Sequence, residues 1–300
     1  MSDWDEAVTT MADVVSRDFR SALTKAADAK DRPYYDADID RATAEVYYGR
    51  TDLEHLGVLI RSTHRDAPRY KPSLELYPWV DLQPDGKLKS LYTAEIFEPE
   101  QLIEADFVVL QERAARMIRL KGLEEGDPAT LEAEVEAQLP FNCEHVVPQS
   151  WFGKHEPMRG DLHHLFACES RCNGFRGNTP FSDFPDFPPT PPPDGDPAPR
   201  AVRDDCGKSA SNGFEPAHGK GAAARAAFYF RLRYPEHIAA EVMSDDRWPV
   251  LMSWHEQDPV SDWERHRNAA IAERQGNRNP FVDHPEWLSE WMSAMPVPVP

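Results

Sequence analysis

The 300-residue sequence predicts an α+β fold, mostly helical with short β-hairpins. Three observations predict it. Apolar residues near the N-terminus recur every three or four positions, which is the helical period. Two short apolar runs, LYPWVDL and LKSLYTAEIF, flank the turn signal PDGK at Pro84 to Lys87. In the central section a short run around His145 reads as a strand, and SRCNGFRG, from Ser170 to Gly177, reads as a short helix.

Taken in order, Trp4, Val8, Met11, Val15, Phe19 and Leu23 give one amphipathic helix over residues 1–30. Tyr34 to Arg50 mixes tyrosines with charges and is compatible with helix or turn. HLGVLIRSTH, His55 to His64, gives a second helix with an apolar face. Asp127-Pro128 is a helix start, because Asp caps and Pro suits the first helical position. FPDFPPTPPPDGDPAPR is dominated by proline and reads as a stiff insertion at 184–200 inside one domain spanning 31–292. KGAAARAAFYFRLRY, Lys220 to Tyr234, is apolar nearly all round and predicts a buried central helix. Ser261 and Glu264 form a capping box, and Gly276 with Pro280 ends the helix that follows. Residues 293–300 read as a tail.

Hydrophobic residues make up 40% of the chain, so a packed core is expected, and no apolar run is long enough to span a membrane. The net charge of -19 argues against general attraction to a polyanion but leaves room for a local basic cleft. The start MSDWDEAVTTMADVV lacks a basic segment followed by an apolar one. The expectation is therefore a cytoplasmic protein if that N-terminus is native, although a mature secreted chain would look the same.

Chemistry concentrates in two stretches. FNCEHVVPQSWF sets Glu144 beside His145. A histidine can take a proton from water near neutral pH, and a carboxylate can hold a hard divalent metal. In a strand the two side chains would point to opposite faces, whereas in a bend both could approach one site. DLHHLFACESRCNGFRGN gathers His163, His164, Cys168, Cys172, Asn173 and Asn178. An Asn carbonyl on the short helix is a hard oxygen ligand, and Arg171 and Arg176 could fork onto phosphate oxygens. An isolated Glu-His pair is ordinarily a surface Glu beside a half-buried His. The two stretches together are a more specific signal.

Histidine, strand, then a helix bearing Asn is the layout of a ββα-metal (His-Me finger) site. The chain resembles the endonuclease I family of non-specific nucleases through NCEHVVPQSWF, DLHHLF and RCNGFRGNTPF. The resemblance continues through FEPAHGKGAAARAAFYFRLRY and WHEQDPVSDWERHRNAAIAERQGNRNPFVDHPEW, and covers most of Tyr34 to Trp291. It implies a metal-dependent, largely sequence-non-specific endonuclease acting on DNA, with RNA as a further candidate substrate and the preference between them left open, leaving 5′-phosphate and 3′-hydroxyl ends. It implies His145 as general base, and Glu144 and Asn173 as ligands of one Mg2+ or similar ion. It implies an arginine on the cleaved phosphate, drawn from Arg159, Arg171 and Arg176, with Arg176 taken as catalytic. Asn178 is the alternative ligand, and His163 and His164 are expected to support the site from behind. QGNRNPF reads first as a structural turn, with substrate contact by Arg278 as the rival. A zinc peptidase lacks its HExxH signal here.

Cys143, Cys168, Cys172 and Cys206 stay open among three readings: a structural Zn2+ site, one or two disulfides, or small buried residues. The first of these supports the alternative function, a catalytically silent, zinc-stapled nucleic-acid-binding module. The sequence leaves oligomeric state open.

Overall fold

The computed structural model describes residues 3–122, 128–187, 202–203, 205–210, 213–237 and 247–294. Its first helix, α1 (Asp3–Ala29), buries Ala22, Ala26 and Ala29, one stripe at helical spacing. The side chains before Asp13 lie outside the described residues. Tyr34 to Arg50 resolves as helix: α2 (Ala37–Tyr48) is capped by Asp36, whose carboxylate accepts from the Asp38 and Ile39 amides. Helix α3 (Leu56–Thr63) fills most of the predicted His55–His64 segment, and α4 (Pro72–Glu75) follows.

The hairpin expected across PDGK does not form. Strand β1 (Leu88–Lys89) instead pairs antiparallel with β2 (Ile96–Phe97), and LYPWVDL is a chain of turns with a single bridge from Leu82 to Leu88. The reason is burial. Leu76, Tyr77, Val80, Asp81 and Leu82 are all buried, so the run packs from every side where a one-faced strand would alternate. Helix α5 (Pro99–Gly122), which the sequence reading did not find, stacks Phe107 on Phe19 of α1 with ring centroids 4.1 Å apart. Helix α6 (Pro128–Gln138) begins at the predicted proline, while Asp127 lies outside the described residues.

Strand β3 (Cys143–His145) pairs antiparallel with β4 (Leu165–Ala167), with Glu144 opposite Phe166 and His145 opposite Leu165. Helix α7 (Ser170–Arg176) follows at once and ends at Gly177, giving a ββα unit. The small sheet divides two cores. Cys143, Leu165 and Ala167 belong to a core with Leu76, Tyr77, Leu102 and Ile103, whereas Phe166 and Val146 belong to one built on the central helix.

Beyond the proline-rich stretch, of which 188–200 lies outside the described residues, β5 (Val202–Arg203), β6 (Gly207–Ala210) and β7 (Gly213–Pro216) form a three-stranded sheet. The sequence reading left it unassigned. Helix α8 (Lys220–Arg233) is the buried centre, with Ala223, Ala224, Phe228, Tyr229 and Phe230 essentially inaccessible. Helices α9 (Trp248–Gln257), α10 (Asp262–Gln275), α11 (Pro280–Asp283) and α12 (Trp287–Ala294) wrap it. The Ser261–Glu264 capping box is formed, and Glu264 also receives Arg225 of α8 at 2.7 Å. Residues 295–300 of the expected tail lie outside the described residues.

Candidate active site

Strand alternation decides where the Glu-His pair points. Glu144 and His145 are consecutive on β3, so they leave opposite faces of the sheet. His145 lines a cleft of about 320 Å³, together with Tyr70, Arg113, Glu136, Arg159, Asn173 and Asn178 among others. Glu144 is not among the cleft's lining residues, being 1% exposed. Its Oε1 accepts from the Tyr92 hydroxyl at 2.9 Å and from Arg176, while Oε2 has no hydrogen-bond partner. Burial pushes the Glu144 carboxyl up, and Arg176 and Tyr92 pull it back.

The His145 ring is fixed by a turn. Its Nε2 lies 3.0 Å from the Arg159 carbonyl oxygen, so that nitrogen carries the proton and Nδ1 is the acceptor in the neutral ring. One residue earlier, the Met158 carbonyl receives Nε2 of His164 at 2.7 Å. The two rings sit edge to face at 5.3 Å. Two consecutive carbonyls of Met158–Gly160 thus orient both imidazoles. Gly160 is required by contact: a Cβ there would sit 1.8 Å from the Pro68 carbonyl oxygen. Burial, then the neighbouring His164, holds His145 well below the ordinary histidine range, so it is neutral at pH 7. Burial likewise lowers His164 to about 4 and His163 to about 3.

Asp161 anchors that turn from behind. It is fully buried and accepts from Tyr229 at 2.8 Å, Tyr234 at 2.9 Å and Gln275 at 2.9 Å. Burial would raise its carboxyl, but His64, His163 and His164 more than offset this and hold it low. The central helix therefore reaches the cleft through Asp161. His163 points away from His145, to the Asn277 carbonyl at 3.2 Å.

Asn173 sits on α7 with its amide nitrogen donating to the Cys143 carbonyl at 2.7 Å. That bond turns the amide oxygen away from the strand, where no donor among the described residues engages it. Asn178 also lines the cleft.

The three candidate arginines separate cleanly. Arg159 lines the cleft, held by Gln149 at 2.8 Å and Glu136 at 2.6 Å. Arg171 is on another surface, paired with Asp205 through contacts of 2.9 and 2.5 Å. Arg176 is enclosed, bound to Glu144 and to the carbonyls of His145 at 2.9 Å and Val146 at 2.8 Å, with its guanidinium over the Phe181 ring. A side chain with no exposed surface and every arm engaged is a staple for the β3–β4–α7 unit and does not reach a phosphate in this conformation. Arg278 is enclosed too, bound by Asp40 and Asp283, so QGNRNPF is the structural turn. Gly276 takes φ 95° to end α10.

A four-thiolate zinc site is not formed. Cys172 and Cys206 are joined as a disulfide, while Cys143 and Cys168 are buried thiols pushed well up by burial. Cys143 and Cys168 also belong to different cores. Asp205 lies near the disulfide sulfurs, but those sulfurs are not thiolates and leave no ligand pair there. The zinc-stapled alternative loses its support with them.

Sequence reasoning missed Tyr70 and Arg113, which come from segments far upstream of the motif, and Glu136, which sits near the end of α6 just before it. Gln149 and Lys154 were within reach, since they lie in or beside PQSWFGK.

The ββα unit places a neutral, oriented histidine and an Asn amide oxygen unengaged among the described residues in one cleft with arginines, the arrangement of a candidate catalytic site. Comparison with known sequences gives the family. The endonuclease I family matches residues 59–286, and the chain belongs to that family. It is 34% identical over 166 residues to an extracellular ribonuclease of Bacillus subtilis, a match covering 50% of this chain and 53% of that protein. It is 29% identical over 170 residues to an extracellular deoxyribonuclease of Aeromonas hydrophila, covering 50% and 68%. A periplasmic deoxyribonuclease of the same organism is 29% identical over 160 residues, covering 47% and 62%. The chain spans about half the length of the ribonucleases it matches. These relatives overturn the cytoplasmic expectation, since they are named extracellular or periplasmic; the disulfide agrees, because such bonds persist in oxidising compartments. No described helix is long and apolar enough to cross a membrane.

Proposed function

We propose that this protein is a divalent-metal-dependent, largely sequence-non-specific endonuclease that hydrolyses phosphodiester bonds of DNA and also RNA. The observation that carries the reading is the His145 Nε2 contact to the Arg159 carbonyl, which presents Nδ1 as a neutral base at a cleft that also holds Asn173. His145 takes the proton of the attacking water. Arg159 steadies the phosphate through charge-assisted hydrogen bonds. Its backbone carbonyl orients the base while its side chain meets the substrate, so one residue sets both.

The donor types suit a hard cation, although Glu144 is enclosed on the other face of β3 from the cleft in this conformation. Glu144 Oε2 is a buried acceptor without a partner, and the Asn173 amide oxygen is unengaged among the described residues. A divalent ion held by Glu144 and Asn173 would supply charge neutralisation at the scissile phosphate and the leaving 3′-oxygen. Arg176 and Tyr92 hold the Glu144 carboxylate by its other oxygen, which fixes its orientation. The His-Me finger assignment rests on this same β3–β4–α7 order. Backbone recognition makes cleavage independent of sequence.

The test is digestion of plasmid DNA and of a single-stranded RNA by the purified protein with Mg2+ and with EDTA, followed by end-labelling of the products. Magnesium-dependent cuts bearing 5′-phosphates support the reading. No cleavage with any divalent metal would remove it.

A further inference from the structure

The cleft mouth holds an anion of the protein's own. Glu136, on α6, faces three cations drawn from three separate places: Arg159 at 2.6 Å, Lys154 at 3.2 Å and Arg113 at 3.6 Å. Burial would raise its carboxyl, but Arg159 and Lys154 outweigh that and hold it below the ordinary glutamate value. All four residues line the same cleft as His145 and Asn173. The cluster is positive by two charges in a chain whose net charge is -19.

The cations are built in place. The Arg113 guanidinium lies 4.0 Å over the Phe141 ring and donates from Nε to the Leu139 carbonyl at 2.8 Å, leaving Nη1 toward Glu136. Lys154 sits in left-handed backbone at φ 58°, directly after Gly153 at φ 65°. A non-glycine residue held there costs on the order of 1 kcal/mol, and such outliers gather at functional positions. The turn brings a half-exposed ammonium to the Glu136 carboxylate.

We propose that Glu136 occupies the place of a substrate phosphate, and that Arg113 and Lys154 form a phosphodiester-binding subsite beside Arg159 that the nucleic-acid backbone enters by displacing this carboxylate. The inference rests on the nuclease reading and adds to it a second phosphate position and an internal competitor. A carboxylate and a phosphodiester present the same singly charged oxygens to a guanidinium. The cations are therefore kept ordered in the free protein, at a cost in affinity. The occupant is the backbone of either nucleic acid, since the chemistry is shared.

The experiment measures Kd for a fluorescein-labelled duplex DNA by anisotropy over a salt series, in the His145→Ala protein with Mg2+ so that nothing is cut. Adding Glu136→Gln should tighten binding about three- to tenfold at low salt while leaving the slope of log Kd against log salt nearly unchanged, because the same phosphate enters the subsite in both proteins and only its competitor is gone. Adding Lys154→Gln to that protein should flatten the slope by about 0.9, the loss of that one phosphate contact. Should Glu136→Gln fail to fold, Lys154→Gln alone decides, because this half-exposed side chain is dispensable for folding and its loss should flatten the slope by about 0.9. A slope and Kd unmoved by both substitutions overturn the subsite while leaving wild-type plasmid cleavage intact. Absence of that cleavage removes the nuclease reading and this inference with it.

Discussion

Replacing Arg176 by methionine separates the two roles of the Glu144 pair. Arg176 and Glu144 have side chains 0% and 1% exposed, and the guanidinium also serves the carbonyls of His145, Val146 and Thr179. Leaving a buried carboxylate without its partner costs about 3–5 kcal/mol. An orphaned buried carbonyl adds about 1–3 kcal/mol. Arg176→Met should thus lose about 5 kcal/mol, comparable with the whole stability of many domains. Urea unfolding followed by circular dichroism reads this directly. The double substitution Glu144→Met with Arg176→Met removes both charges and should recover the carboxylate's share of about 3–5 kcal/mol, leaving the cost of the orphaned carbonyls. It should nevertheless stay inactive, because the free oxygen of Glu144 is gone. An Arg176→Met loss below about 2 kcal/mol would refute the buried-staple reasoning, and full activity in the folded double variant would refute the ligand role of Glu144.

Other outcomes follow from the same geometry. Removing the disulfide by Cys172→Ser with Cys206→Ser opens a loop of 34 residues and should cost about 4 kcal/mol, read as a lower urea midpoint. Gly160→Ala forces a Cβ onto the Pro68 carbonyl, so the turn carrying Arg159 must move; cleavage should fall at least tenfold while the far-ultraviolet spectrum is kept. Stability should also fall on acidification. His163 and His164, lowered to about 3 and about 4, bind protons more readily unfolded, so their contribution is present above pH 6.5 and lost as pH falls toward those values. Asp106, raised by burial to about 6, acts oppositely between its ordinary value and pH 6. His145, held well below the ordinary range by burial, adds in the same sense as His163 and His164, so stability should fall as pH drops from 7 toward 5, and a flat urea midpoint over that interval would contradict it.

Much of the fold was legible where a local rule was strong. The capping box at Ser261, the all-apolar helix around Phe228 and the helix ending at Gly177 each follow from residues within a turn of one another. Helix α5 was passed over although Ile103, Phe107, Leu110, Ala114 and Met117 recur every three or four positions; its stripe is interrupted by the charged Arg113 and Arg116 and by the exposed Val108. LYPWVDL misled because a fully buried run of turns carries the same residues as a strand. At the site, local motifs identified His145 and Asn173, which share the cleft. They did not separate Arg159 from Arg176, whose fates depend on which side of a three-residue strand each reaches. Arg113 and Glu136 carry no motif; tertiary packing alone brings them to the histidine.

The central claim is that His145 is the base. It is tested most directly by the rate of plasmid nicking with Mg2+ for wild type and His145→Ala, with unfolding curves confirming that the variant is folded. The account predicts a loss of about 100- to 10,000-fold in rate with the fold retained. A folded variant that nicks within threefold of wild type would contradict it.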